Sequence, residues 1–562
     1  MSVLKRLFDC SPRSSVPERV FDAKRVLDLD ADAAAIVAAA DAAGVVTAVV
    51  LALGAVTVDE PALLIVAVGV GIGVDLLLRE GIAIAADAKR SRALGAAPTL
   101  VGRAVLRLRI TPNAEDAAAF AAGGESHLAD ALSEHVRRNE GTPHSGLVSF
   151  AAAWRETAPA LYRACLLVEA AGDAPDPERG RTLDRAMDAI LDGTRDRAAD
   201  AAESLRGPAT ALYAFGVLLP LSLIAVLPAA GAAGVDASLP FVVVVYDLLL
   251  PVSLGVAGVW LLAKRPIAFP PARIGREHPD VPDRRLLSVV LGVAAAIAGW
   301  IAAGISIAAW TRPIAAVGAA GGTGLITYYR PIVSVRRRIE TLEETLPDGL
   351  YVVGRRVADG ISVERAVDEA ADELGGPTGE LFAAVTRRGR QLKVGIDAAF
   401  RGEGGALERF PSPRAESAAE LLGVAAREGP PAGRALIETA DHLDDLQRVE
   451  RNARRELGQV TSTLGNTAAI FGPLVGGATV ALADSIGTAD ALEGSAPPTA
   501  ELGVAVGVYV LLLAVILTAT ATGLSRGLDR ATVGYRVGTA LLSATVTYLL
   551  AFTAAGTLAG GL

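Results

Sequence analysis

Lysine, cysteine, histidine and methionine are all scarce in this 562-residue chain: five Lys stand against 48 Arg, with five His, two Cys and two Met. With only Cys10 and Cys165, both on the side read below as cytoplasmic, no disulfide framework is expected. His127, His135 and His144 have spacings that match no familiar ligand pattern and no cysteine accompanies them, so no metal is expected. The chain has no Gly-x-x-x-x-Gly-Lys-Ser/Thr loop, no His-Glu-x-x-His run and no serine in a nucleophile-elbow context. The nearest glycine-rich run, Gly321-Gly322-Thr323-Gly324, is followed by no lysine and lies inside an apolar stretch, where small residues let helices approach. Neither a catalytic constellation nor a cofactor site is therefore expected. The first 41 residues carry Lys5, Arg6, Arg13, Arg19, Lys24 and Arg25 but no short apolar run ending in small residues, so no signal peptide is expected.

Hydrophobic residues make up 52% of the chain, and charge comes in blocks. A run of about 18 apolar residues is long enough to cross a bilayer. Nine such runs are expected to span it: Ala42 to Val58, Pro61 to Leu78, Ala209 to Ala230, Leu239 to Ala263, Leu286 to Trp310, Pro313 to Tyr329, Thr463 to Ala483, Leu502 to Leu524 and Val537 to Leu558. Because Lys and Arg stay preferentially on the cytoplasmic side, their placement tests this map separately from hydropathy. With residues 1–41 inside, only Arg312 of the 53 Lys and Arg falls on an outer connection. The expected topology is N-terminus in, C-terminus out, in the cytoplasmic membrane. A net charge of −9 with abundant Ala, Asp and Gly resembles proteins of salt-loving archaea; a GC-rich genome explains the arginine preference equally well. No nucleic-acid partner is expected.

The sequence thus predicts an all-α polytopic membrane protein with about nine transmembrane helices and two cytoplasmic helical-bundle domains. Its parts are a tail (1–41), a membrane hairpin (42–78), a first domain (79–208), a hairpin (209–263), a loop (264–285), a hairpin (286–329), a second domain (330–462) and three terminal membrane helices (463–562). In the second domain Leu346, Leu350, Val353 and Val357 recur at steps of four, three and four, the mark of an amphipathic helix. Gly360 ends it, Ser362 is placed to cap the next, and Val363, Ala366, Val367, Ala370 and Leu374 form that helix's apolar stripe. Another helix is expected over Gly379 to Leu392, after which Gly395 repeats the Gly360 arrangement. Beyond Pro411 to Pro413, Ala415 to Arg427 is helical, and a long charged helix leads from Gly429-Pro430-Pro431 to Ser462. The first domain is a looser copy, with helical patterns near Leu128 to Arg138, Leu147 to Glu169 and Leu183 to Leu205. The exits match too: Phe215-Gly216 with Pro220 parallels Phe471-Gly472-Pro473.

The residues from Leu346-Pro347-Asp348, through 356–367 and Glu373 to Pro377, to Val394–Phe400 resemble the type II secretion system F domain family. The likeness is fullest over 330–480, weaker over 100–225, and elsewhere rests on topology. Members of that family are platform proteins of secretion systems and type IV pili, and the archaeal branch, with its archaellum platforms, has two such domains interleaved with membrane helices. The resemblance implies a membrane platform that couples a hexameric secretion ATPase to the assembly of pilin-like subunits, without hydrolysing ATP itself; a homo-oligomer is also expected.

Five residues are singled out as candidates. Arg387, Arg388, Arg390 and Lys393 form a basic cluster far from any apolar run, suited to an acidic ATPase surface. Arg336-Arg337-Arg338, just inside the membrane, suits lipid anchoring instead. Asp247 lies two turns inside an apolar run, where an ionised group is expensive unless paired or hydrated; a structural polar contact and a conduction or coupling role are both open. Pro251, four residues on, is expected to kink that helix. Gly69 and Gly73, like Gly472 and Gly476, have the spacing of close membrane-helix contacts, within one chain or between chains. The competing functional reading is a secondary transporter or channel with cytoplasmic regulatory domains.

Overall fold

The computed structural model describes residue 23 and residues 33–57, 62–124, 126–142, 145–232, 239–263, 274–487 and 499–559. Cys10, His144, the six basic residues of the tail and the Asp59-Glu60 connection lie outside the described residues. Within them the chain is all-helical and forms no strand.

A hairpin of α1 (Ala33–Thr57) and α2 (Ala62–Gly95) leads into the first helical body, α3 (Ala97–Ile110), α4 (Ala114–Ala122), α5 (His127–Asn139), α6 (Leu147–Ala152), α7 (Pro159–Gly172) and α8 (Asp176–Tyr213). A π turn at Ala214–Leu218 joins α8 to α9 (Leu219–Ala232). The return is α10 (Leu239–Val243), a second π turn (Val244–Leu249) and α11 (Leu250–Ala263), followed by α12 (Arg285–Ser306). The 47-residue α13 (Arg312–Ala358) runs into the second body, completed by α14 (Val363–Glu373), α15 (Gly376–Leu392), α16 (Ile396–Arg401), α17 (Pro413–Glu428) and α18 (Pro430–Asn466). A third π turn (Thr467–Phe471) joins α18 to α19 (Gly472–Gly487), and α20 (Thr499–Arg526) and α21 (Arg530–Ala559) close the chain.

Among the described residues, six helical stretches are long and apolar enough to cross a membrane: Asp176–Ile224, Leu239–Ala263, Arg285–Ser306, Ala432–Ser485, Thr499–Arg526 and Arg530–Leu558. They take in six of the nine expected runs. The first run falls on α1, whose apolar stretch Val37–Leu53 is shorter. The second falls on α2, and the sixth on the first third of α13, where Gly318, Gly321, Gly322 and Gly324 dilute the apolar character. The run expected to reach Trp310 ends at Ser306, with a separate 3-10 turn at Ala309–Thr311. The face of α12 is lined by exposed large apolar side chains, Leu286 at 78% and Ile305 at 80% among them, which a water-facing helix rarely shows.

Close contacts fix the relative sense of these helices. Gly292 lies against Ala320 and Gly299 against Ala315, so α12 and α13 are antiparallel. Gly318 faces Thr545 while Gly534 faces Tyr329, so α13 and α21 are antiparallel as well. Gly477 meets Tyr548, and Ser543 Oγ donates to the Ala469 carbonyl at 3.0 Å, which sets α19 parallel to α21. Gly258 meets Thr520, and Tyr246 and Tyr509 pack edge to face at 5.6 Å, so the 239–263 segment runs with α20. Gly216 against Leu254 sets the end of the first exit helix against that segment.

The second body follows its sequence pattern closely. Leu346, Leu350, Val353 and Val357 are buried with Val363, Ala366, Val367 and Ala370 in one core that also takes in Phe382, Phe400, Leu422 and Leu436. Gly360, at φ +90°, takes the left-handed turn after α13. Ser362 does precede α14, but its side chain caps no amide. Gly395 does not repeat Gly360: the left-handed residue there is Lys393, at φ +54°. The first body has its own core, centred on Leu108, Leu132, Phe150, Leu161 and Met187. Its expected helix over 147–169 is broken at 153–158, because Pro159 suits the first turn of a new helix better than the interior of an old one.

Candidate functional site: the seam between the bodies and the exit helices

The two bodies meet along α3, α8, α17 and α18. Arg103 reaches from α3 to Glu420 on α17 with two hydrogen bonds, 2.6 and 3.2 Å, while its guanidinium lies 4.4 Å over the Phe120 ring. Two parallel bonds from one guanidinium to one carboxylate give direction as well as strength. Arg109 pairs with Asp184 of its own body, at 2.5 Å, and with Glu438 of α18. Beside this group His442 is held below its ordinary range, by burial and by the Arg109 charge.

A third cluster joins α13, α17 and α18: Arg414 bonds Glu450 at 2.7 Å and lies 3.5 Å from Glu343. Burial works against the Arg414 charge, yet the two carboxylates hold its proton more firmly than usual. Between the bodies is a cavity of about 420 Å³, whose wall includes Arg103, Arg109, Glu343, Arg414 and His442. Each of the three arginines is paired with at least one carboxylate, so the seam is an ion-paired clasp. This long-range pairing was out of reach of the sequence, since Arg103 and Glu420 are 317 positions apart.

The expected basic cluster divides in two. Arg390 is held by Asp368 at 2.5 Å, and Arg388 donates to the Glu403 carbonyl. Arg387 and Lys393 are exposed with no ion pair among the described residues, and Leu392 beside them is 56% exposed. The outward-facing part is therefore Arg387, Leu392 and Lys393 at the end of α15.

Arg336 turns inward, whereas Arg338 stays at the surface with its charge paired. Arg336, 6% exposed, pairs with Asp529 in the α20–α21 connection and donates to Thr532 Oγ1 at 2.9 Å. Burial would raise Asp529, but the Thr532 amide and hydroxyl and the Arg336 charge hold it below the usual carboxylate range. Arg338 pairs with Glu380 and lies 5.2 Å over Phe410. Of the three arginines read as lipid anchors, Arg336 ties the second body to the α20–α21 turn, Arg338 is engaged within the second body, and Arg337 is exposed without an ion pair among the described residues.

Of the three candidate histidines two lie among the described residues: His127 faces Asp130 at 3.8 Å and His135 bonds Ser149 at 3.1 Å. Among the described residues no group of three or more His, Cys, Asp or Glu could hold a metal ion. Cys165 is buried, and burial pushes its thiol up to about 12, which leaves it unreactive.

Inside the bundle the three π turns share one chemistry. Pro220, Pro473 and Pro251 each stand two residues past a π turn. Proline has no N–H, so the carbonyl four residues earlier loses its helical partner. Those carbonyls belong to Gly216, Ala469 and Asp247. Tyr509 Oη donates to the first at 2.5 Å, and Ser543 Oγ to the second at 3.0 Å. At the third, the Asp247 carboxylate keeps a buried Oδ1 with no hydrogen-bond partner among the described residues, so the expected polar contact is not found for that atom. Of the glycine pairs, Gly476 packs within the chain on Val506 and Val510, whereas Gly69 and Gly73 have open space on their Cβ side.

No known family's profile, no curated protein and no solved structure matches this chain.

Proposed function

We propose that the chain is the membrane platform of a type IV pilus-like filament, an archaeal pilus or archaellum, on which a cytoplasmic secretion ATPase drives assembly of pilin-like subunits. The observation that carries this reading is a duplicated architecture: two helical bodies, clasped by Arg103–Glu420 and Arg109–Glu438, each leading into the bundle through a long helix with a proline-linked π turn. Such bodies suit a scaffold that docks proteins, and the resemblance of 330–480 to the secretion F domain names the partners. In this reading all nine apolar runs span the cytoplasmic membrane, N-terminus in and C-terminus out. The senses of α12, α13, α19 and α21 fit this topology and support the glycine-rich start of α13 as one of the spans.

The ATPase docks on Arg387 and Lys393, whose charges are not consumed within the body. Reversal of both to Glu weakens ATPase capture in a pull-down, whereas reversal of Arg390, already held by Asp368, changes it less. Deletion of the gene abolishes surface filaments seen by electron microscopy; filaments in unchanged number would refute the platform reading.

The transporter reading is favoured by one feature, the unpartnered Oδ1 of Asp247 inside the bundle. Asp247→Asn separates the two readings. A platform carrying it still assembles filaments, while a carboxylate that carries ions loses its transport.

A further inference from the structure

The two exit helices lie side by side in matching register. Leu191 packs with Leu446 and Val449, and further along Val217 lies against Gly472. Both contacts pair residues about 255 positions apart, so α8–α9 and α18–α19 run parallel. That offset also relates the two copies in the sequence: Pro220 and Pro473 differ by 253 positions, and Gly216 and Gly472 by 256. The π turns at 214–218 and 467–471 are therefore neighbours at one height. Each separates a charged stretch within a helical body from an apolar stretch within the bundle.

We infer that these paired π turns are a double hinge on which both bodies swing together against the bundle, held shut by hydroxyl latches and by the Arg336–Asp529 pair, with Pro331 the matching weak point inside α13. A π turn followed by proline is where a long helix bends most readily, since the ladder is already interrupted there. A carbonyl left bare in an apolar bundle is costly, so whatever fills it sets the preferred geometry. Tyr509 fills the first and Ser543 the second, each from a helix of the C-terminal pair rather than from the exit helix itself. Tyr246 adds a second bond on the first side, donating to the Pro220 carbonyl at 2.8 Å. Gly216 has no side chain because Leu254 occupies the space a Cβ would need, which leaves its carbonyl open to Tyr509.

The hinge is a property of the helices whatever docks on the bodies, so its test needs no partner. Full-length protein in nanodiscs, with Cys10 and Cys165 replaced by Ala, carries spin labels across one hinge at a time: Asp196→Cys with Leu223→Cys, or Arg455→Cys with Leu482→Cys. Each pair spans 27 residues, about 40 Å along an unbent helix, and double electron–electron resonance reads the distribution of distances. Tyr509→Phe broadens the first distribution and Ser543→Ala the second, with the bent population rising about threefold or more, the usual worth of one such bond in a membrane protein. Pro473→Ala restores an N–H to the Ala469 carbonyl and narrows the second distribution. Unchanged widths in both latch variants, or broadening in Pro473→Ala, would overturn the inference. If Tyr509→Phe fails to fold, the Ser543 and Pro473 variants decide alone.

Discussion

Lys393 is the one described residue other than glycine with a positive φ. A side chain in that region costs about 1–2 kcal/mol, and glycine gives part of this back as unfolded-state freedom. Lys393→Gly therefore stabilises the second body by about 0.5 kcal/mol in thermal unfolding, while the proposed docking contact is lost. His442 makes a prediction with a definite sign. Its folded-state pKa lies below its ordinary 6.5, through burial and Arg109, with Glu438 and Asp184 opposing. The unfolded chain then binds the proton first, so this contribution to stability is complete above about 6.5 and is lost as pH falls below it. His442→Gln flattens the decline in thermal midpoint over that acid range; an unaltered slope would show that another group sets it. Neither behaviour was legible from sequence. Lysine gives no signal of a left-handed backbone, and the surroundings of His442 are assembled from two bodies.

Periodic helices were the legible part. The stripe from Leu346 to Val357 and that from Val363 to Ala370 are buried as the spacing demands, because period alone decides which face of a helix meets the core. Boundaries set by local chemistry were less so: Gly360 turns as read, but Ser362 caps nothing and Gly395 yields its role to Lys393. Helices α3 and α4 escaped notice; α4, short and rich in alanine, gives little periodic contrast. The π turns were half visible, as a repeated Phe-Gly with nearby proline and as the Asp247–Pro251 pair, yet only packing shows that two of them sit together. Close helix contact makes a further prediction. A Cβ on Gly433 would run into the backbone of Ala358, and one on Gly354 into the Gly433 carbonyl, so α13 and α18 touch backbone to backbone. Gly433→Val costs about 2 kcal/mol or more through overpacking, read by thermal unfolding, whereas Gly458→Ala, in open space on the same helix, costs nothing measurable.

At the scale of the whole molecule, one division organises everything: apolar helices with an exposed apolar face on one side, and two charged, clasped bodies at the end of the bundle where α2 and α13 emerge. Charged regions between apolar runs were legible in the sequence, and the clasp was not, because ion pairs between distant segments leave no local pattern. The division also places Arg336 and Asp529, whose pairing pins the second body to the α20–α21 turn at the bundle's end. The most direct test is labelling of Arg387→Cys and His127→Cys, one exposed site on each body, with a membrane-impermeant maleimide. Both sites stay unlabelled in intact cells and become labelled once the membrane is opened; labelling of either one from outside would contradict the shared cytoplasmic placement on which the platform reading stands.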